Sequence, residues 1–324
     1  MKILFFQNKF FPIGKQGQNF DQNFLFHHER GVAFECSGFF FASGIRHGGK
    51  VHSVRFPDIN FSDLKNWVAK SFGDTEPIES NYVLGTFYKR IWRPTACGDR
   101  WQDEAIKERI NESFVSLRIL LTKLEILFET IEPNKANLST HGHKIREIIL
   151  LACMEVESAW TAVLKENDYP STARLRTNDY VKLLQAMFLD AYELSLQSYP
   201  NFPKFIPFAG WNSSNPTTSL SWYDAYNKTK HDREENLKLA TLENAVYAVG
   251  AAVVMFHAQF GLNFGTGPFD QKSPIIRNIF KIVTTGLEKY EKDFYISKFE
   301  LPPDSITPQS LVQVKDWTAL NYPF

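Results

Sequence analysis

Cysteine is scarce in this chain: Cys36, Cys97 and Cys153 are the only three in 324 residues. Their number is odd, their spacing is wide, and no Cys-x-x-Cys pair exists. That excludes a disulfide framework, a zinc ribbon and a redox dithiol. Reduced, mostly buried thiols in a cytosolic protein are the expectation. An excess of one charge sign is also lacking. Lys plus Arg and Asp plus Glu number 36 each, for a formal net charge of +0. A polybasic field that would coat nucleic acid or a membrane surface is thereby excluded, though a local basic site is not. Long apolar runs are missing as well. Ile3 to Phe6 is too short for a signal-peptide core. Ala245 to Phe260 holds His257 and Gln259 and falls short of the roughly 20 residues that a spanning helix needs. It reads as a buried core helix, and no membrane partner is expected. There is no phosphate-binding loop, no GxGxxG and no GxSxG.

What is present is apolar and aromatic. Hydrophobic residues make up 44% and charged residues 22%, so a globular core is available. Aromatics reach 15%, with 29 Phe. Residues 1–100 read as short strands and loops: Val32 to Phe34, Gly38 to Ala42, Val51 to Phe56 and Tyr82 to Tyr88 are separated by turn residues such as Gly44, Gly48 and Gly49. One helix is predicted near Phe61 to Phe72, opened by Ser62.

The pattern changes after Gly98. Ile106, Ile110, Leu117, Leu121, Leu124 and Phe128 recur at three- and four-residue steps, the stripe of one long helix that stops at Glu132-Pro133. Ile145, Ile149, Ala152, Val156 and Trp160 form a second, with a middle apolar all round that places it centrally. The short link predicts an antiparallel hairpin. Thr177 to about Phe188 reads as a helix and Tyr192 to Leu196 as a strand. Pro200 to Pro216 holds too many prolines for one regular element, and its Phe202, Phe205, Phe208 and Trp211 predict a loop packed on the helices. A helix from Ser219 or Ser221 through His231 and another from Thr241 to Phe260, stopped by Gly261, complete the set. One more helix is expected near Ile275 to Tyr290, beyond Pro268. The fold class implied is mainly α: an antiparallel helical bundle over residues 101–265, an irregular, partly β region over 1–100, and a C-terminal helix and tail over 266–324 packed on the bundle.

Several groups are candidates for chemistry. His141 and His143 stand two apart at a helix start, where solvent-facing polar residues are the plain reading, and no third ligand follows at the right step. Asp58, Asn60 and Asp63 lack the glycine and closing Glu of a calcium loop. No metal and no cofactor are expected. His257 falls on an apolar stripe and reads as a core histidine. Glu155 sits at the edge of the central helix's apolar stripe, close to Glu157. A carboxylate there needs a partner, either a cation of a neighbouring helix or a polar site in the groove.

The sharpest cluster runs from Trp222 to Arg233. On a helix, Tyr223, Asn227, Lys230 and His231 share one face. Histidine titrates near neutrality and can give or take a proton. Lys228, Lys230 and Arg233 supply cations for a phosphate or a developing negative charge. Tyr223 and Tyr226 offer rings on which bases can stack. The structural alternative is a polar helix end, with basic residues complementing the helix dipole.

Asn227-x-x-x-His231, placed just before a final long helix, resembles the motif of the HEPN superfamily, an α-helical bundle that carries Arg, often followed by Asn, and then His. The resemblance spans residues 105–262. At the position where the family has Arg this chain has Tyr226, so Lys228, Lys230 or Arg233 would supply the cation. The phrases Trp222 to Asn227 and Lys230 to Arg233 also resemble an uncharacterised bacterial family, a likeness that carries no function. The HEPN resemblance implies a metal-independent endoribonuclease, often a toxin or antiviral effector, working on RNA as a homodimer. His231 would be the acid or base, Asn227 would orient substrate, and Arg233 or Lys230 would stabilise the phosphorane. Tyr223, Tyr226, Lys228 and Glu155 would contact substrate. Members without activity bind nucleotides or proteins, which is the alternative function.

Overall fold

The computed structural model describes residues 2–11, 29–36, 39–45, 51–58, 63–93, 95–96, 104–170, 174–261, 272–285, 292–296, 298–300, 312–313 and 317–324. Ser62, Asn60, Gly48, Gly49, Cys97 and Pro268 lie outside these residues. The chain divides into two compact units. The first comprises residues 1–87, 93–100 and 286–320, and the second residues 88–92, 101–285 and 321–324. The expected C-terminal segment 266–324 is therefore shared between the two.

The first unit begins with β1 (Ile3–Gln7), β2 (Arg30–Cys36), β3 (Phe39–Ile45) and β4 (Val51–Asp58), followed by α1 (Leu64–Phe72), β5 (Ile78–Glu79), β6 (Thr86–Tyr88) and β7 (Thr95–Ala96). An antiparallel sheet forms in the order β4-β3-β2-β1-β5. Leu4, Phe6, Ala33, Phe40 and Ala42 pack on Leu64, Trp67, Val68 and Phe72 of α1. Asp63, not Ser62, caps α1 by accepting from Asn66 N at 3.2 Å, and Gly73 ends it at φ 78°. Phe6 lies directly across from Gly31, whose missing Cβ would sit 2.3 Å from the ring.

The second unit holds α2 (Glu104–Phe128), α3 (His143–Glu166), α4 (Thr177–Tyr180), α5 (Leu183–Ala186), β8 (Tyr192–Leu196), α6 (Ser221–His231), α7 (Arg233–Asn236), α8 (Leu242–Phe260), α9 (Lys272–Ile279) and β9 (Phe280–Thr284). α3 and α8 form its centre, with Ile149, Cys153, Val156, Val249 and Val253 all inaccessible to solvent. Thr241 caps α8 by accepting from Asn244 N at 3.2 Å. β8 and β9 pair antiparallel, Leu194 opposite Ile282. The proline-rich stretch docks as its rings predict: Phe202, Phe205, Phe208 and Trp211 are buried. Trp211 stacks on Trp160 at 4.9 Å between ring centres. Phe205 exchanges two backbone hydrogen bonds with Leu194, at 2.7 and 3.0 Å. Gly250 of α8 makes room for this, since a Cβ there would lie 2.8 Å from Phe205 and 2.9 Å from Leu194. The chain then supplies the first unit with β10 (Tyr295–Ile296), β11 (Phe299–Glu300), β12 (Val312–Gln313) and β13 (Thr318–Leu320), where β10 runs parallel to β7 and β13 pairs with β6.

The expectation of a mainly α protein is corrected by these elements. Half the structure is helical and 17% is strand, so the class is mixed α/β. More than half of the strand lies in β1 to β4, paired with neighbours in sequence, and the rest includes pairings between distant segments such as β8 with β9. Ile275 to Tyr290 shows the cause locally. The helix stops at Ile279, and Phe280-Lys281-Ile282-Val283-Thr284 turns to a strand, because three β-branched residues and Phe280 suit a pleated surface and β8 provides the partner. The single helix expected from Thr177 to Phe188 is two short turns instead. The second ends at Ala186, and Phe188, two residues on, adopts a left-handed φ of 52°.

Candidate functional site

α6 opens at Ser221; the Ser219 hydroxyl accepts a long bond from Asn212 N at 3.4 Å instead. Trp222, Ala225, Tyr226 and Thr229 bury one face against the core. The last turn is closed from α3. Arg146 donates from Nε and from one terminal nitrogen to the Thr229 carbonyl, at 3.1 and 2.9 Å. That carbonyl belongs to the set a helix C-terminus leaves unpaired, so the guanidinium fixes where α6 ends. The chain then bends at Asp232, whose carboxylate accepts from Glu235 N and starts α7.

The expected site residues fall into three places. A hydrogen-bond network joins the buried Tyr223 and Tyr226 and the exposed Lys230 to the half-buried Glu157 of α3. The Tyr223 hydroxyl donates to Glu157 Oε1 at 2.6 Å, and the Tyr226 hydroxyl reaches Oε2 at a long 3.4 Å. Lys230 donates to the Tyr226 oxygen at 2.9 Å and sits 4.9 Å from its ring centre. The exposed side of α6 carries His231, Lys228 and, past the bend, Arg233. Lys228 is paired with Asp224 at 2.6 Å, while no hydrogen bond or ion pair engages His231 or Arg233 among the described residues. Asn227 lies between these sets and donates its amide to the Tyr223 carbonyl at 2.8 Å. Glu155 stands apart, lining a cleft between α2, α3 and α8.

Burial, with Glu157 adding to it, pushes the Tyr223 hydroxyl far above the ordinary tyrosine range. Burial also raises Tyr226, against the opposing effect of Lys230. The hydrogen bond to Tyr226 raises Lys230 in turn. Both phenols therefore keep their protons and act as donors, and Lys230 stays charged. Burial, then Glu157, drives the Cys153 thiol up, so it is no nucleophile. The network ties Tyr223, Tyr226 and Lys230 to one carboxylate, while His231 stands outside it on the exposed end of α6.

The histidine pair is separate: His143 opens α3 in solvent, and His141 forms a backbone bridge to Thr241. Among the described residues no group of three or more His, Cys, Asp or Glu is arranged to hold a metal. Two participants escape a sequence reading. Arg146 gives no signal in one dimension. Glu157 does give one, standing one turn from Cys153 and Trp160 on a helix expected to be central.

Comparison of the chain with protein-family models, with curated proteins and with solved structures finds no match. Among the described residues no helix is long and apolar enough to cross a membrane.

Proposed function

We propose that the second unit engages RNA through the exposed end of α6 and cleaves it without a metal, as the HEPN resemblance implies. The observation that carries this reading is His231: exposed, its side chain unengaged, and two residues from the exposed cation Arg233. In this reading His231 moves the proton when a ribose 2′-hydroxyl attacks the adjacent phosphorus, and Arg233 offsets the charge of the phosphorane. Asn227 keeps its amide oxygen for substrate while its nitrogen is tied to Tyr223. A homodimer would bring a second copy of this face to the same strand.

A second reading, a non-catalytic module that holds a nucleotide or protein, is favoured by the same side chains. Asn227, Lys228 and Lys230 all spend donors within α6.

The test is incubation of the full chain with unstructured RNA in the presence of a chelator. Wild type should leave 2′,3′-cyclic phosphate ends, and His231→Ala should lose about 10²–10⁴-fold in rate. As His231 is exposed, its melting temperature should hold, with a change within about 0.5 kcal/mol. Salt-sensitive RNA binding without cleavage, lost in Arg233→Ala, would select the second reading. Neither binding nor cleavage would sink both.

A further inference from the structure

A cleft of about 270 Å³ lies between α2, α3 and α8, away from the Glu157 network. It exists because small side chains meet there: Ala159 and Ala162 of α3 face Ala252 of α8, and interiors otherwise close to crystal-like density. Leu117, Leu120 and Phe256 give it an apolar wall.

Its charges are unequal in their commitments. Arg90 is spent. Its Nε lies 2.8 Å from Glu166 Oε1, a terminal nitrogen donates to Gln259 at 2.9 Å, and the guanidinium sits 5.7 Å from the Phe260 ring centre. Glu166 is shared with Arg109 at 2.7 Å, and Glu112 adds its field to Arg90. Glu155 is half-buried in the cleft, and no hydrogen bond or ion pair engages its side chain among the described residues. Ser116 and Ser158 line the same cleft with hydroxyls that can accept as well as donate. What remains unmatched are two carboxylates, the half-buried Glu155 and the exposed Glu112, beside an apolar wall.

We propose that this cleft is a binding site for a small organic amine, its ammonium on Glu155 and its apolar body against Leu117, Leu120 and Phe256. An ammonium brings a positive charge and donors only, which is what an unpaired carboxylate flanked by hydroxyl oxygens accepts best. The inference does not rest on RNA cleavage.

The experiment is calorimetric titration of the full chain with hexylamine and phenethylamine, with hexanol and hexanoate as matched controls. Saturable binding of an amine is expected, with the alcohol and the acid at least about tenfold weaker. Glu155→Gln should weaken the amine by about tenfold or more while melting as wild type does. Ala159→Met, which fills the cleft, should abolish binding, and His231→Ala should leave it intact. No saturable heat with either amine at millimolar concentration, equal binding by Glu155→Gln, or hexanoate binding as well as hexylamine would each overturn the proposal.

Discussion

His257 should make the protein acid-labile, and its surroundings set the size of the effect. Its ring lies 4.9 Å from that of Trp92 and 5.1 Å from that of Tyr192. Its Nδ1 is buried without a hydrogen-bond partner. Burial, with Arg277 adding repulsion, pulls its pKa from 6.5 down to about 3. Between those two values the unfolded chain binds a proton that the folded chain refuses. Stability is therefore fully present above the unfolded value, falls as the pH drops from 6.5 towards 3, and levels below that. Each pH unit in the window costs about 1.4 kcal/mol. At pH 5 the loss is about 2 kcal/mol, a large share of the roughly 5–15 kcal/mol that holds a typical domain. It corresponds to about 4–8 °C in melting temperature for a unit of this size. The assay is urea unfolding of wild type and His257→Leu at steps from pH 7.5 to 4.5. Carboxylates contribute equally to both proteins, so the difference in slope isolates His257. The variant should lose stability less steeply with acid, by about 1.4 kcal/mol per unit. Parallel profiles would refute the reasoning, because a histidine that is charged or solvated when folded contributes no such difference.

Other expectations follow from the same geometry. Tyr223→Phe removes the 2.6 Å donor of Glu157 and should cost about 1–3 kcal/mol in urea unfolding; an unchanged midpoint would mean the carboxylate is solvated. Gly250→Val should destabilise by about 1–3 kcal/mol or more, since the added carbons collide with Phe205 and Leu194, and any gain in stability would contradict the packing. Limited proteolysis should spare residues 200–216 while the second unit is folded, because the four rings are buried.

What could be read in the sequence was whatever repeats within a few residues. The stripes of α2, α3 and α8 and the alternation of Tyr192, Leu194 and Leu196 are local, and they mark those elements to within a turn. Partnership is another matter. Phe280 to Thr284 continues a helical register on paper, and only the distant edge of β8 makes it a strand. The same limit applies at the site. A helical wheel puts Glu155 at the border of the apolar stripe, but which flank of α3 meets α6 depends on tertiary packing, and that flank carries Glu157. Tyr223, Tyr226 and Lys230 share a face as their spacing requires, yet Asn227 turns its amide to the backbone and not to them. Arg146 reaches Thr229 across 83 positions of sequence, a relation no local pattern encodes.

The discontinuity of the first unit bears on how the protein is made. Residues 1–100 leave the ribosome long before 286–320, and β7 has no β10 to pair with until then. At about 5–20 residues per second, synthesis of the intervening stretch takes on the order of 10–40 s. During that interval α2 to α8 can gather around their own core and β1 to β5 can form their sheet, while β6 and β7 wait unpaired with exposed backbone donors. The unit encoded first is therefore completed late, and its waiting strands are where a nascent chain most needs protection from its neighbours.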